Sequence, residues 1–225
     1  MTRRALPIIF ALALAAVIAV ASTTVTVRAR LLPAVQNPDG VAAIEAYGKQ
    51  MDAYARRNTG RGRLFADTSD YRDANSPARW REFRSKRALQ RSEAYSASTV
   101  WSNQAGDPVL AEFSLSSPSG DWAHNVTYYY RDDGTLAKLH SELRTFMGEL
   151  IVIRDRLYDS KAKLLQEKTT YLDLKTRKPK KVEQGSFMDA PAELYAKTSD
   201  LPFYALLKKR QRNHPRSIDI LSGTP

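Results

Sequence analysis

Between His124 and Asp173 the chain reads as consecutive β-hairpins, and this stretch restricts the fold more than any other. Tyr128-Tyr129-Tyr130 closes a β-branched and aromatic run. Asp133-Gly134 supplies the positive-φ pair that a two-residue hairpin turn needs, and Thr135 starts the next run. Pairing Asp132 with Thr135 sets Tyr130 opposite Ala137, Tyr128 opposite Leu139, Val126 opposite Ser141, His124 opposite Leu143 and Trp122 opposite Thr145. Tyr129, Thr127 and Asn125 then meet Lys138, His140 and Glu142 on the other side, which is a solvated face by composition.

Phe146-Met147-Gly148 ends in glycine, as a three-residue loop with a G1 bulge requires. That loop predicts Leu143, Ser141, Leu139 and Ala137 opposite Ile151, Ile153, Asp155 and Leu157. Upstream, a four-residue loop over Ser117-Pro118-Ser119-Gly120 predicts Leu115, Phe113, Ala111 and Val109 opposite Trp122, His124, Val126 and Tyr128. All three turns keep the apolar residues on one face, and this agreement carries the reading.

Trp101, Tyr130 and Tyr158 recur at intervals of 29 and 28 residues, each closing a strand before a polar turn. Leu136 and Leu164 each follow an aromatic by six residues. These hairpins resemble the tyrosine-aspartate repeats of bacterial surface and toxin shells, a likeness of hairpin geometry over about sixty residues. Ala162 stands where such a repeat would have glycine. The run from Asp121 to Lys138, DWAHNVTYYYRDDGTLAK, resembles uncharacterised exported bacterial proteins over most of the mature chain, and implies export without implying an activity.

Four polar residues fall on the predicted apolar face: His124, Ser141, Thr145 and Asp155. His124 and Asp155 lie diagonally on either side of Ser141, and such neighbours sit roughly 7–8 Å apart. Serine, histidine and aspartate are the parts of a nucleophile, base and orienter, which makes a hydrolase one alternative. Mid-strand amides are already paired and offer no oxyanion donors, so a hydrogen-bonded network is the first expectation and no catalytic residue is assigned. If that face stays open, Trp122, Tyr128 and Tyr130 line a pocket with His124, Ser141 and Asp155 as its polar anchors.

Arg3-Arg4, an uncharged run from Ala5 to Val20, and Ala19-Val20-Ala21 form the n-region, h-region and cleavage site of a signal peptide over 1–21. The alternative is an uncleaved membrane anchor. The chain has no cysteine, so disulfides, thiol catalysis and lipid attachment through cysteine are excluded. Three widely spaced histidines argue against a metal site, and no cofactor signature is present. A formal charge of +11, clustered at Arg79–Arg91, Lys175–Lys181 and Lys208–Arg216, suits an anionic membrane surface or an envelope glycopolymer; no nucleic-acid module is recognisable.

After a 22–36 linker, Asn37-Pro38 and the stripe Val41, Ile44, Tyr47, Met51 and Tyr54 predict an amphipathic helix over Asn37–Arg57, placed on the apolar sheet face. Residues 58–75 read as loop, and Ser76 to Leu89 as a short basic helix with a strand through Trp80–Phe83 as the alternative. Glu93–Ser102 and Pro108–Ser116 form the first hairpin. Beyond Leu157 the register stays open. Asp200-Leu201-Pro202 starts a helix through Lys209, and 211–225 is a basic tail.

The expected architecture is one α+β domain over 37–210, a twisted antiparallel meander of about six strands that could curl into a half-barrel under the amino-terminal helix. Noncatalytic binding in the cell envelope, periplasmic or secreted, is the expected role. A carrier of a lipid, amphiphile or other apolar small molecule is the alternative.

Overall fold

The computed structural model describes residues 37–73, 76–182 and 192–213, with side chains as far as 209. The leader, its cleavage site, the whole 22–36 linker and residues 214–225 lie outside the described residues.

Eight strands form one antiparallel sheet. The six expected strands are β3 (Ser96–Ser102), β4 (Pro108–Ser116), β5 (Trp122–Tyr130), β6 (Leu136–Thr145), β7 (Leu150–Tyr158) and β8 (Leu164–Asp173). Two more, β1 (Arg63–Asp67) and β2 (Trp80–Phe83), correct the count of six. β1 was hidden because Leu64, Phe65 and Ala66 are all buried, so the strand lacks a period of two and looks like part of a glycine-rich loop. Trp80 and Phe83 have spacing that also fits a helix. The cap is Ser85, whose Oγ accepts from the Ala88 N–H at 3.2 Å and starts α2 (Lys86–Gln90), so the chain up to Phe83 stays extended.

The order β2-β1-β3-β4-β5-β6-β7-β8 leaves β2 and β8 as edges with no ladder joining them. The sheet is therefore open, and the half-barrel is not formed.

The β5–β6 register is as predicted from Trp122↔Thr145 to Tyr129↔Lys138, although the turn is not. The Arg131 N–H bonds to the Thr135 carbonyl, which gives a three-residue loop, and a bulge then sets Tyr130 opposite Leu136 instead of Ala137. One extra residue in the loop and one in the bulge cancel. The β4–β5 loop sits one residue later than predicted, so Leu115 meets His124 instead of Trp122. A slip of two keeps the face.

The β6–β7 turn is different. Gly148 and Glu149 both have positive φ, +71° and +49°, and the loop holds four residues, pairing Thr145 with Leu150. A slip of one turns the strand over. Leu143, Ser141 and Leu139 face Val152, Arg154 and Arg156, while Asp155 goes to the other side, opposite His140.

The sheet buries both faces. Phe65, Phe113, Val126, Tyr128, Tyr130 and Leu139 form one cluster, covered by the segment 192–202 and by Phe203 and Leu207, which flank and begin α3 (Tyr204–Asn213). Phe203 stacks on Phe65 with ring centroids 4.4 Å apart. The expected helix start at Asp200-Leu201 is a 3₁₀ turn, Thr198–Asp200, and α3 runs to Asn213, into the predicted tail.

The other cluster joins Leu110, Tyr129, Ala137 and Leu157 to Ile44, Tyr47 and Met51 of α1 (Val41–Arg57). Thus α1 lies on the Tyr129 face, not on the Tyr128 face where it was expected. It begins at Val41 after Gly40, whose φ of +86° breaks the helix that Asn37-Pro38 would have started. Pro38 is occupied elsewhere, because its carbonyl accepts from Arg131 Nε at 3.0 Å.

Arg131 is 1% exposed and donates also to the carbonyls of Leu136 at 2.7 Å and Tyr158 at 2.6 Å. This guanidinium ties the chain before α1 to the ends of β6 and β7.

Candidate functional site

On the Tyr128 face His124, Ser141 and Thr145 are buried together as the sequence predicts. Asp155 is not with them. The residue the slipped register sets opposite Ser141 is Arg154, itself buried, with Nε 3.2 Å from Glu167 Oε1 and 3.3 Å from Thr169 Oγ1. Burial first, and the Arg154 charge second, hold the His124 ring below its ordinary pKa. A cation beside the ring disfavours the imidazolium that a general base must form, and among the described residues no carboxylate orients it. The histidine, serine and aspartate of the hydrolase reading are therefore separated. Thr145 Oγ1 has a structural partner, the Met147 N–H at 3.1 Å.

Asp155 belongs to a polar group on the α1 face. Its Oδ1 lies 2.9 Å from His140 Nδ1 and 3.3 Å from Lys138 Nζ, which reaches Glu45 Oε2 of α1 at 3.0 Å. Burial alone would raise the Asp155 pKa, but the His140 hydrogen bond and the His140 and Lys138 charges outweigh it and lower the value. The Lys138 stem crosses α1 at Gly48, where a Cβ would come 3.2 Å from Lys138 Cδ. Next to it the Tyr129 hydroxyl donates to Asp52 Oδ1 at 2.8 Å. These contacts hold helix to sheet.

The aromatic residues of the predicted pocket divide. Trp122 stands at the sheet end, 37% exposed; Tyr130 is fully buried. Tyr128 lines a cavity of about 380 Å³ between the sheet and the 192–202 segment. Val126, Phe113, Leu115 and Trp80 form its floor with Tyr128, and Tyr195 and Pro202 form the other wall. The rings are fixed by one another: Phe113 to Tyr128 at 5.4 Å, Phe113 to Tyr195 at 5.6 Å, Tyr128 to Tyr195 at 5.3 Å. The cover is fixed by backbone contacts. Tyr128 Oη donates to the Glu193 carbonyl at 2.6 Å and Tyr130 Oη to the Tyr195 carbonyl at 3.2 Å, while Leu136 N–H donates to Ala196 O at 2.9 Å.

In a chain of charge +11, this cavity is lined by no lysine or arginine among the described residues; its charged groups are Asp67, Glu193 and Asp200. Asp67 caps the Ser69 and Arg79 N–H groups, Asp200 caps the Lys197 N–H, and Glu193 accepts from Tyr195 Oη. All these donors are uncharged.

A larger groove of about 900 Å³ runs along residues 59–64 and 82–86. Its lining is largely polar, and Arg63 within it is already bound to Glu82 at 2.9 Å and to the Leu206 and Leu207 carbonyls. A ligand site needs an apolar body as well as polar anchors, and the smaller cavity has both.

Asp67 and Trp80 were missed as site residues because they come from segments read as loop and as helix, and Glu193 and Tyr195 because no element was read between Lys181 and Asp200. One signal pointed to them. Val109-Leu110-Ala111, Tyr128-Tyr129-Tyr130 and Leu136-Ala137 are unbroken apolar runs, the mark of strands covered on both faces. One helix cannot cover two faces, so a second cover had to exist. No protein-family model matches the chain, and comparisons with curated proteins and with solved structures likewise yield no match.

Proposed function

We propose that this chain is a noncatalytic binding protein of the cell envelope, exported by its amino-terminal leader, which holds a small molecule with an apolar body in the cavity beneath the 192–202 segment. The observation that supports this is a cavity of about 380 Å³ walled by Trp80, Phe113, Tyr128 and Tyr195 and rimmed by carboxylates. Ligand pockets span about 300–1,000 Å³. The volume suits a ring system or one short chain better than a two-chain lipid, so the carrier reading narrows to small amphiphiles. The carboxylate rim favours an uncharged or cationic ligand over an anionic one, because burying an anion beside them without a cation is costly.

Ala78 lines the mouth and is exposed, so a large side chain there fills the cavity without disturbing the core. Titration with Nile red, an uncharged apolar dye, should give saturable emission that Ala78→Trp abolishes. The anionic dye anilinonaphthalene sulfonate should bind at least tenfold more weakly. Equal Nile red binding by Ala78→Trp, or none by the wild type, would sink the proposal.

A further inference from the structure

We infer that the β6–β7 end of the sheet docks on an anionic bilayer surface, with Phe146, Met147 and Trp122 entering the interface. Phe146 is 68% exposed, Met147 47% and Trp122 37%, although all three are large and apolar. They form one patch: Trp122 pairs with Thr145, and the Phe146 N–H donates to the Asp121 carbonyl at 2.9 Å. A hairpin tip carrying two adjacent apolar side chains leaves their hydrophobic free energy unused in water.

The second observation is charge. The chain after β8 turns back beside this tip. Asp173 Oδ1 accepts from Thr176 N–H at 2.8 Å and from its hydroxyl at 2.9 Å, the Leu174 N–H donates to Glu149 O at 2.9 Å, and Lys180 Nζ donates to Gly148 O at 2.8 Å. The turn is thus built, and it holds Lys175, Arg177, Lys178, Lys180 and Lys181 next to the apolar patch. Arg144 adds a further cation. The carboxylates nearby are Asp121, Glu142, Glu149 and Asp173, of which Glu142 is paired with Arg144 at 2.6 Å and Asp173 with Lys180 at 3.6 Å. A net basic ring around aromatic and apolar side chains is the arrangement of an interfacial anchor for anionic lipid. A protein partner with an acidic groove is the competing occupant. The bilayer is favoured because the patch is a convex tip, whereas helix-in-groove and strand-addition partners need a concavity or a free edge.

This surface is separate from the cavity under the 192–202 segment, so either proposal can fail alone. Vesicles of phosphatidylcholine with 30% phosphatidylglycerol, about, should bind the full chain at low salt and release it at 1 M salt, where screening acts within about 3 Å. Brominated acyl chains in those vesicles should quench tryptophan emission, and Trp122→Phe should remove the quenching. The double variant Phe146→Ser, Met147→Ser, whose sites are exposed and whose urea midpoint should match the wild type, should bind at least tenfold more weakly. Lys178→Glu with Lys181→Glu should lose about fivefold. Wild-type affinity in the double serine variant, equal binding to pure phosphatidylcholine, or quenching that persists in Trp122→Phe would each overturn the inference.

Discussion

On the Tyr128 face the cover is a segment of nearly irregular chain, held mainly through its backbone carbonyls by tyrosine hydroxyls; on the Tyr129 face it is a regular helix, held through its side chains by a lysine and a tyrosine. An irregular segment can follow the sheet closely in one place and stand away in the next, and a cavity lined by four aromatic side chains remains beneath it. A helix presents a fixed stripe, so contact depends on small residues such as Gly48 and Ala55 where sheet and helix come close. The covers are also unequal in charge. Asp155, Lys138 and Glu45 link α1 to the sheet with partly exposed groups, and such ties are each worth at most about 1 kcal/mol. Most of the stability of both faces must come from buried apolar and aromatic surface, at roughly 1.5–3 kcal/mol per large side chain.

The comparison can be broken most directly by truncating adjacent tyrosines that point to opposite faces. Tyr128 is 2% exposed and Tyr129 4%, so alanine at either should cost ~3–5 kcal/mol in urea unfolding. A cost at Tyr129 below half that at Tyr128 would mean that α1 does not close its face. Arg131→Met should cost ~3 kcal/mol, because it leaves carbonyls of Pro38, Leu136 and Tyr158 without their charged donor.

Removing only the hydroxyls sharpens the contrast. Tyr129→Phe gives up a bond to the Asp52 carboxylate and should cost ~1.5–2 kcal/mol, against ~1 kcal/mol for Tyr128→Phe, which gives up a bond to a carbonyl. Hydrogen exchange should quicken at 195–198 in Tyr128→Phe alone.

Acid separates the faces by window, with a smaller effect. The folded pKa of His124 is depressed, so the unfolded chain binds the proton more readily; stability falls as pH drops below the ordinary 6.5 and continues to fall until the depressed value is passed. The Asp155 pKa is also depressed, and its contribution is complete above the ordinary 3.8 and lost as pH falls through the lower folded value. His124→Gln should remove the first decline and Asp155→Asn the second, as read from urea midpoints between pH 8 and 2. A single decline unaffected by His124→Gln would show that this ring is not buried neutral.

Six of the eight strands were legible because turn residues mark where they end, but of the three registers read from the turns only β5–β6 was correct, and that despite a wrong turn length. The β6–β7 strand was inverted by Glu149, a residue with no sequence mark for the positive φ it adopts. That single residue carried Asp155 to the far face and with it the hydrolase reading. The choice of face for α1 was not legible for another reason: Tyr129, Ala137 and Leu157 are as apolar as their neighbours, and alternation alone cannot say which side receives which cover. Tyr128 was found as a pocket residue from its strand position. Trp80 was not, because its spacing to Phe83 also fits a helix, and neither was Tyr195, whose segment has no clear periodicity.

An open sheet must also keep its borders from recruiting further strands, and β8 does so in two ways. Along its second half the outer backbone groups are already used: the Asp173 N–H bonds to Lys178 O, the Lys180 N–H to Tyr171 O, and between them sits Pro179, which has no N–H to pass on. Along its first half the outer groups have no ladder partner among the described residues and Leu164 and Leu165 are exposed, but Glu167 and Lys168 come next after Gln166, and a register shift at Tyr158 bends the ladder there. A second copy of the chain meets charge and curvature at one end of this strand and a finished hydrogen-bond pattern at the other, so pairing along β8 has no continuous template on which to begin.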